Sequence, residues 1–253
     1  MFSTSMLDPL TISKAFVVLG GTHTLLSHQA PIKAAQRFGY ESDPLSIAMV
    51  EFLSCTGLAS CIIAGCLFFG QMEARHAIAI GYIPRFLNSL KVVLNFDNHY
   101  SAIFGAGDAF KTLVFFTVHL GVLLLGIAYQ TLWADPLLKL SLYWALLDGM
   151  RGLFATRSYV DQTLGGIHAS KSKVLAMQRN NSGILLQFAV FSLLLLEGMP
   201  STKAFGYGMS VNLLSLVSAR CIYKDVQKEG FNNKGNTFWA FLYVVVIADL
   251  TLS

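Results

Sequence analysis

Three carboxylates, Glu51, Asp148 and Asp249, stand inside runs of apolar residues, where each could take or give a proton. Burial away from water makes a carboxyl group hold its proton more tightly, which suits it to general-acid work. If the chain is an enzyme, these are the catalytic candidates. Their chemistry would be acid–base isomerisation or cyclisation of a hydrophobic substrate. Four more polar residues share this setting, Arg151, His23, His119 and Glu197, and they read as pocket lining or as packing residues. In YWALLDGMRGLF, Asp148 and Arg151 lie at i and i+3 on one helical face, placed to neutralise each other or to turn together into a cavity. Gly149 and Gly152 beside them leave room for a neighbouring helix. Glu51 is expected either as a protonated acid or as the partner of Arg85 or Lys91. His23 and His119 fall on different apolar segments, so they are open to haem ligation as well as to packing. Glu197 and Asp249, with Lys14, could rim a pocket at one end of the molecule.

Those residues need elements to hold them, and composition says which kind. Hydrophobic residues make up 54% of the 253 and charged residues only 13%, about half the roughly 25% of a water-soluble domain. The mean hydropathy is +0.57. So little charge cannot cover a water-exposed surface, and a bilayer must solvate much of the chain. The net charge of +4 is dispersed, without a basic stripe, which gives nucleic-acid binding no support. Cys55, Cys61, Cys66 and Cys221 show no CxxC or metal-ligand spacing and read as helix-packing residues. No metal site and no cofactor are expected, with a lipid or a quinone left open as a bound molecule. Asp8 stands where a signal peptide would carry cations, so the first apolar stretch is expected to remain as a helix.

A membrane-crossing helix needs about 20 mostly apolar residues. Segments 46–69, 112–133, 182–199 and 237–252 meet this plainly; 10–26, 77–96, 140–154 and 204–223 do so while carrying charges. The expected fold is all-α, a polytopic transmembrane bundle of about eight spans. Long and short links alternate between these segments. The long ones and their flanks hold eleven Lys and Arg against Arg75, Lys139 and Lys203 on the other side. That bias places the long links in the cytosol and both termini outside it. GYIPRFLNSL at 81–90 overlays GYGMSVNLLSL at 206–216, which suggests two four-helix units, 10–130 and 138–253, running parallel about a pseudo-twofold axis. Counted five residues from Ser46 and from Ser182, Gln187 lies where Glu51 falls, and overlaying the halves puts Gly149 near Gly20 or Gly21.

The stretch FGYESDPLSIAMVEFLSCTGLASCIIAGCLFFGQMEARHAIAIGY, with Glu51 early in one helix and Arg75 at the following turn, resembles DoxX-like four-helix integral membrane proteins. The resemblance spans about residues 12–127. It implies a four-helix bundle and kinship with subunits of quinone-linked oxidoreductases and with membrane assembly factors. Gln187 departs from the pattern, so a site built on that carboxylate would occur once per chain. The sequence contains no Walker A, GxGxxG, HExxH, GxSxG or DDxxD motif. The leading expectation is an auxiliary or assembly protein of a membrane redox or biosynthetic system, with an apolar pocket inside the bundle, contacting lipids and a membrane-protein partner. The alternatives are the acid–base enzyme and a small-solute transporter, the latter resting on the parallel repeats alone.

Overall fold

The protein, seen in a computed structural model, is described for residues 10–37, 43–104, 108–164, 168, 171–222 and 233–252; side chains at 99, 108–109, 219–220, 233–236 and 251–252 are left aside. Among these residues the structure is helical throughout. The eight long helices are α1 (Thr11–Gln29), α3 (Pro44–Phe68), α4 (Ala74–Leu94), α6 (Asp108–Ala128), α7 (Ala134–Phe154), α9 (Ser172–Leu196), α10 (Ser201–Ile222) and α11 (Asn233–Leu252). At about 1.5 Å per residue, the shortest of them spans about 28 Å. Short helices occupy three of the links: α2 (Pro31–Arg37), a π-helical turn at Phe96–Tyr100 running into α5 (Ser101–Phe104), and α8 (Thr156–Leu164).

Four of the long helices, α3, α4, α9 and the Phe110–Ala128 part of α6, are apolar and long enough to cross a membrane. Helix α11 holds a shorter apolar run, Thr237–Leu250, and the remaining three carry more polar and charged residues along their length. Helix α7, for instance, carries Asp135, Lys139, Asp148 and Arg151. Local sequence explains where helices begin. Asp43 caps α3, its Oδ1 accepting from the backbone N–H of Leu45 and Ser46 at 3.0 and 3.2 Å, and Pro44 follows at the first helical position.

The interior is built from aromatic and branched side chains of all eight long helices, among them Phe16, Ile63, Tyr82, Leu120, Leu138, Phe188, Phe205 and Val246. A second apolar cluster lies beneath the long links, around Ala35, Met49, Val92, Ile103, Val160 and Leu175. The outside is apolar too. Val18, Leu19 and Leu26 on α1, Phe115 and Val118 on α6, Trp144 and Leu147 on α7, and Phe238 and Phe241 on α11 are all exposed. In water such a belt would be an aggregation surface; in a bilayer it is the solvated face.

Each half packs in the same order: α1 on α3, α3 on α4, α4 on α6, and then α7 on α9, α9 on α10, α10 on α11. Helices α3 and α9 meet in the middle, while α6 touches α7 and α1 touches α11 across the halves. Close approach fixes a register within this arrangement. A Cβ at Gly81 would sit 2.5 Å from Ile63 and 3.0 Å from the carbonyl of Ala59, and one at Gly208 would sit 3.0 Å from both Phe191 and the carbonyl of Gln187. Gly81 of α4 and Gly208 of α10 thus each make a close approach to the preceding long helix.

Candidate functional site

A cavity of about 100 Å³ opens among α1, α3, α9, α10 and α11. Its wall is mostly apolar, from Phe16, Val50, Leu53, Ile184 and Leu216, with Trp239 and Tyr243 contributed by α11. Gly20 and Gly57 let α1 and α3 approach closely, with Cys61 packed on the one and Thr24 on the other. Polar residues line it from all five helices, and those of α9, α10 and α11 bond to one another. The amide nitrogen of Asn212 donates to Gln187 Oε1 at 2.7 Å and to the Tyr243 hydroxyl at 3.1 Å. Asn212 is wholly buried, yet its Oδ1 accepts no hydrogen bond. His23 stands at the edge, its ring 5.0 Å from that of Trp239. Among the candidates named from sequence, His23 alone lines this space.

The three carboxylates sit elsewhere and apart. Glu51 is buried in α3, with Lys91 Nζ donating to Oε1 at 2.8 Å and Tyr100 donating to Oε2 at 3.0 Å. Lys91 is thus its cationic partner, and Arg85 is not. Beside them Cys55 Sγ and His28 Nδ1 are 3.4 Å apart. Burial, and then the neighbouring carboxylate, push the Tyr100 phenol up from its ordinary range, so it remains a donor. Asp249 accepts from the backbone N–H and the hydroxyl of Ser13 at 3.1 and 2.7 Å, serving the free donors of the first turn of α1.

Asp148 and Arg151 do not bond to each other. Helix α8 folds back against the end of α7 and takes both: Tyr159 donates to Asp148 Oδ2 at 2.8 Å, and Arg151 Nη2 donates to Gln162 Oε1 at 2.6 Å. The guanidinium also lies 6.0 Å over the Tyr159 ring. The pair stands in the last two turns of α7, where a following polar segment can reach it. Gly149 and Gly152 do what their spacing suggests, since a Cβ at either would run into Ser182 or Leu186 of α9.

Two further residues act as ties. His119 bonds Ser141 across the α6 and α7 contact at 2.5 Å, and Glu197 pairs with Lys139 at 2.8 Å on an exposed surface. The four cysteines are free thiols. Sequence reasoning named Arg85 only as a partner for Glu51 and missed its aromatic setting, in which the guanidinium carbon lies 4.9 Å from the Phe188 ring, 5.5 Å from Tyr82 and 5.6 Å from Phe116. It also missed Asn212, Tyr243 and Trp239. The signal for Asn212 was a lone amide in the apolar stretch MSVNLLSL; nothing local says which neighbour it faces.

No protein family, curated protein or solved structure matches the chain. Among the described residues, the fold and its apolar exterior define a helical protein with four helices fit to cross a bilayer, and the site must be interpreted from its own chemistry.

Proposed function

We propose that the chain is an eight-span integral membrane protein of two parallel four-helix units, with its long links in the cytosol and both termini on the other side. It serves as an auxiliary or assembly component of a membrane redox or biosynthetic system. In that role it holds part of a lipid, quinone or other hydrophobic molecule in the cavity between its halves, and it works beside a membrane-protein partner. The DoxX-like resemblance of residues 12–127 belongs to this same proposal. The observation that carries it is the cavity itself, an interior space with a buried amide whose oxygen has no partner. The matching order of helix contacts in the two halves supports the repeat.

The acid–base enzyme gains nothing comparable. Glu51, Asp148 and Asp249 lie on different helices, each is already hydrogen-bonded within the chain, and none lines the cavity. Purification in mild detergent followed by mass spectrometry of both protein and lipid tests the proposal. The expected result is a stoichiometric protein partner and a retained hydrophobic molecule. A lone monomer carrying neither refutes it.

A further inference from the structure

The wall of the cavity changes character along its length. Contacts between helices order its residues: Thr24 lies against Gly57 and Cys61 against Gly20, while Asn181 donates to the Met49 carbonyl and so sets Asn180 level with the second turn of α3. From the end where the long links gather, Asn180, Ser27, Ser54 and Thr24 therefore come first. Phe16, Cys61 and Tyr243 come last, with the Phe16 ring 6.1 Å from that of Trp239 and 5.7 Å from that of Tyr243. At this deep end the polar groups turn to one another. Asn212 bonds Gln187 and Tyr243, and its Oδ1 is shut away from the space.

At the long-link end the hydrogen-bonding capacity is largely unspent. Ser54 and Thr24 give their protons to backbone carbonyls of their own helices and keep lone pairs. Ser27 and Asn180 line the space and bond to none of the described residues. Asn180 is only partly buried, so its two N–H donors and its carbonyl oxygen are within reach of whatever the cavity holds. A head group that only accepts would leave the Asn180 oxygen and the Ser54 and Thr24 lone pairs unmatched. One that only donates would leave the Asn180 N–H groups and the Ser27 proton unmatched. None of the lining residues is Asp, Glu, Lys or Arg, so an ion would lose hydration without meeting an opposite charge. The volume of about 100 Å³, against the roughly 150 Å³ of an engineered cavity that takes benzene, suits a head and a few carbons.

We propose that Asn180 and Ser27 bind the uncharged head of an amphiphile that both donates and accepts hydrogen bonds, such as a carboxamide, with its carbon chain directed inward to Phe16, Trp239 and Tyr243. This rests on the cavity reading above and specifies the head group and the end of the cavity that takes it. The test follows Trp239 fluorescence in purified full-length protein with Trp133 and Trp144 changed to Phe, titrated with hexanamide, methyl pentanoate, hexane, hexanoate and hexylammonium. Hexanamide should give a saturable change, and the other four should bind about tenfold or more weakly. Asn180→Leu should bring hexanamide down to the level of the ester, and Ser27→Ala, which removes a single hydroxyl, should weaken it by several-fold with circular dichroism unchanged. Orientation is read with bromine as a quencher: 6-bromohexanamide should quench Trp239 several-fold more than 2-bromohexanamide. The reverse order overturns the proposal, as does equal binding of hexane or the ester, tighter binding of either ion, unaltered amide preference in both variants, or no saturable change with any probe. A hydrophobic molecule retained on purification without hexanamide binding sinks the head-group assignment alone, whereas hexanamide binding by a lone monomer that retains nothing sinks the auxiliary role alone.

Discussion

At the scale of single residues, a buried charge is tolerated only where the chain supplies its partners. Glu51 has two, and they differ in kind. Lys91 is half-exposed and brings charge, whereas Tyr100 is buried and brings a neutral hydrogen bond. Glu51→Gln keeps the shape but removes the charge, leaving Lys91 without its anion and weakening the bond from Tyr100. A loss of about 1–3 kcal/mol in stability is expected, read as a lower thermal midpoint in mild detergent. Adding Lys91→Met should recover part of it, because the ammonium no longer needs a partner. A double variant as unstable as the sum of the singles would show that the pair is not coupled. The carboxylate was legible in the sequence as an oddity in an apolar run. Its cation was legible only as a choice between two residues, since Arg85 and Lys91 are nearly two turns apart on α4, and which one faces α3 depends on how the helices are rotated.

Elements add contacts that no periodicity predicts. The long helices stand out because apolar runs of 20 or so residues have few alternatives, and their positions in the sequence and in the structure agree to within a few residues at many of their ends. Links are different. Helix α8 is short and polar, yet it determines what Asp148 and Arg151 do. Burial, followed by the Asp148 carboxylate, pushes the Tyr159 phenol up from its ordinary range. A phenol held in its protonated form by the fold stabilises the protein at every pH below the unfolded value of about 10. That contribution drains away as pH rises above 10 toward the higher folded value. Tyr159→Phe should therefore lower stability at neutral pH and flatten its alkaline decline, measured as the difference between the two proteins' thermal midpoints from pH 8 to 11. Parallel curves over that range would show that the Tyr159 hydroxyl is not linked to folding. The register of α10 illustrates a second limit on what a sequence reveals. Gly206 and Gly208 are both candidates for the close approach to α9, and only three-dimensional contact selects Gly208.

Across the whole molecule, the two halves are joined by polar ties set in an apolar interface: Ser13 to Asp249, His119 to Ser141, and Arg75 to Asp135 at 2.9 Å. Arg75 and Asp135 begin α4 and α7, so their bond brings two of the short links to the same end of the bundle. The long links α2, α5 and α8 gather at the opposite end, where they share the second apolar cluster. An eight-span bundle makes this separation a statement about sidedness. Single cysteines introduced at Met72, Thr131 and Ser201, in a background with the four natural cysteines changed to alanine or serine, should react with an impermeant maleimide from one side of sealed vesicles. Cysteines at Gln36, Asn98 and Ser158 should react only from the other side. The excess of Lys and Arg on the long links predicts that this second side is the cytosol. Four spans would break the pattern in a recognisable way. With α3, α4, α6 and α9 alone crossing, α7 would not return the chain, and Thr131 and Ser158 would label from the same side. The same set of six positions therefore tests the span count and its orientation together, without depending on any assignment of ligand or partner.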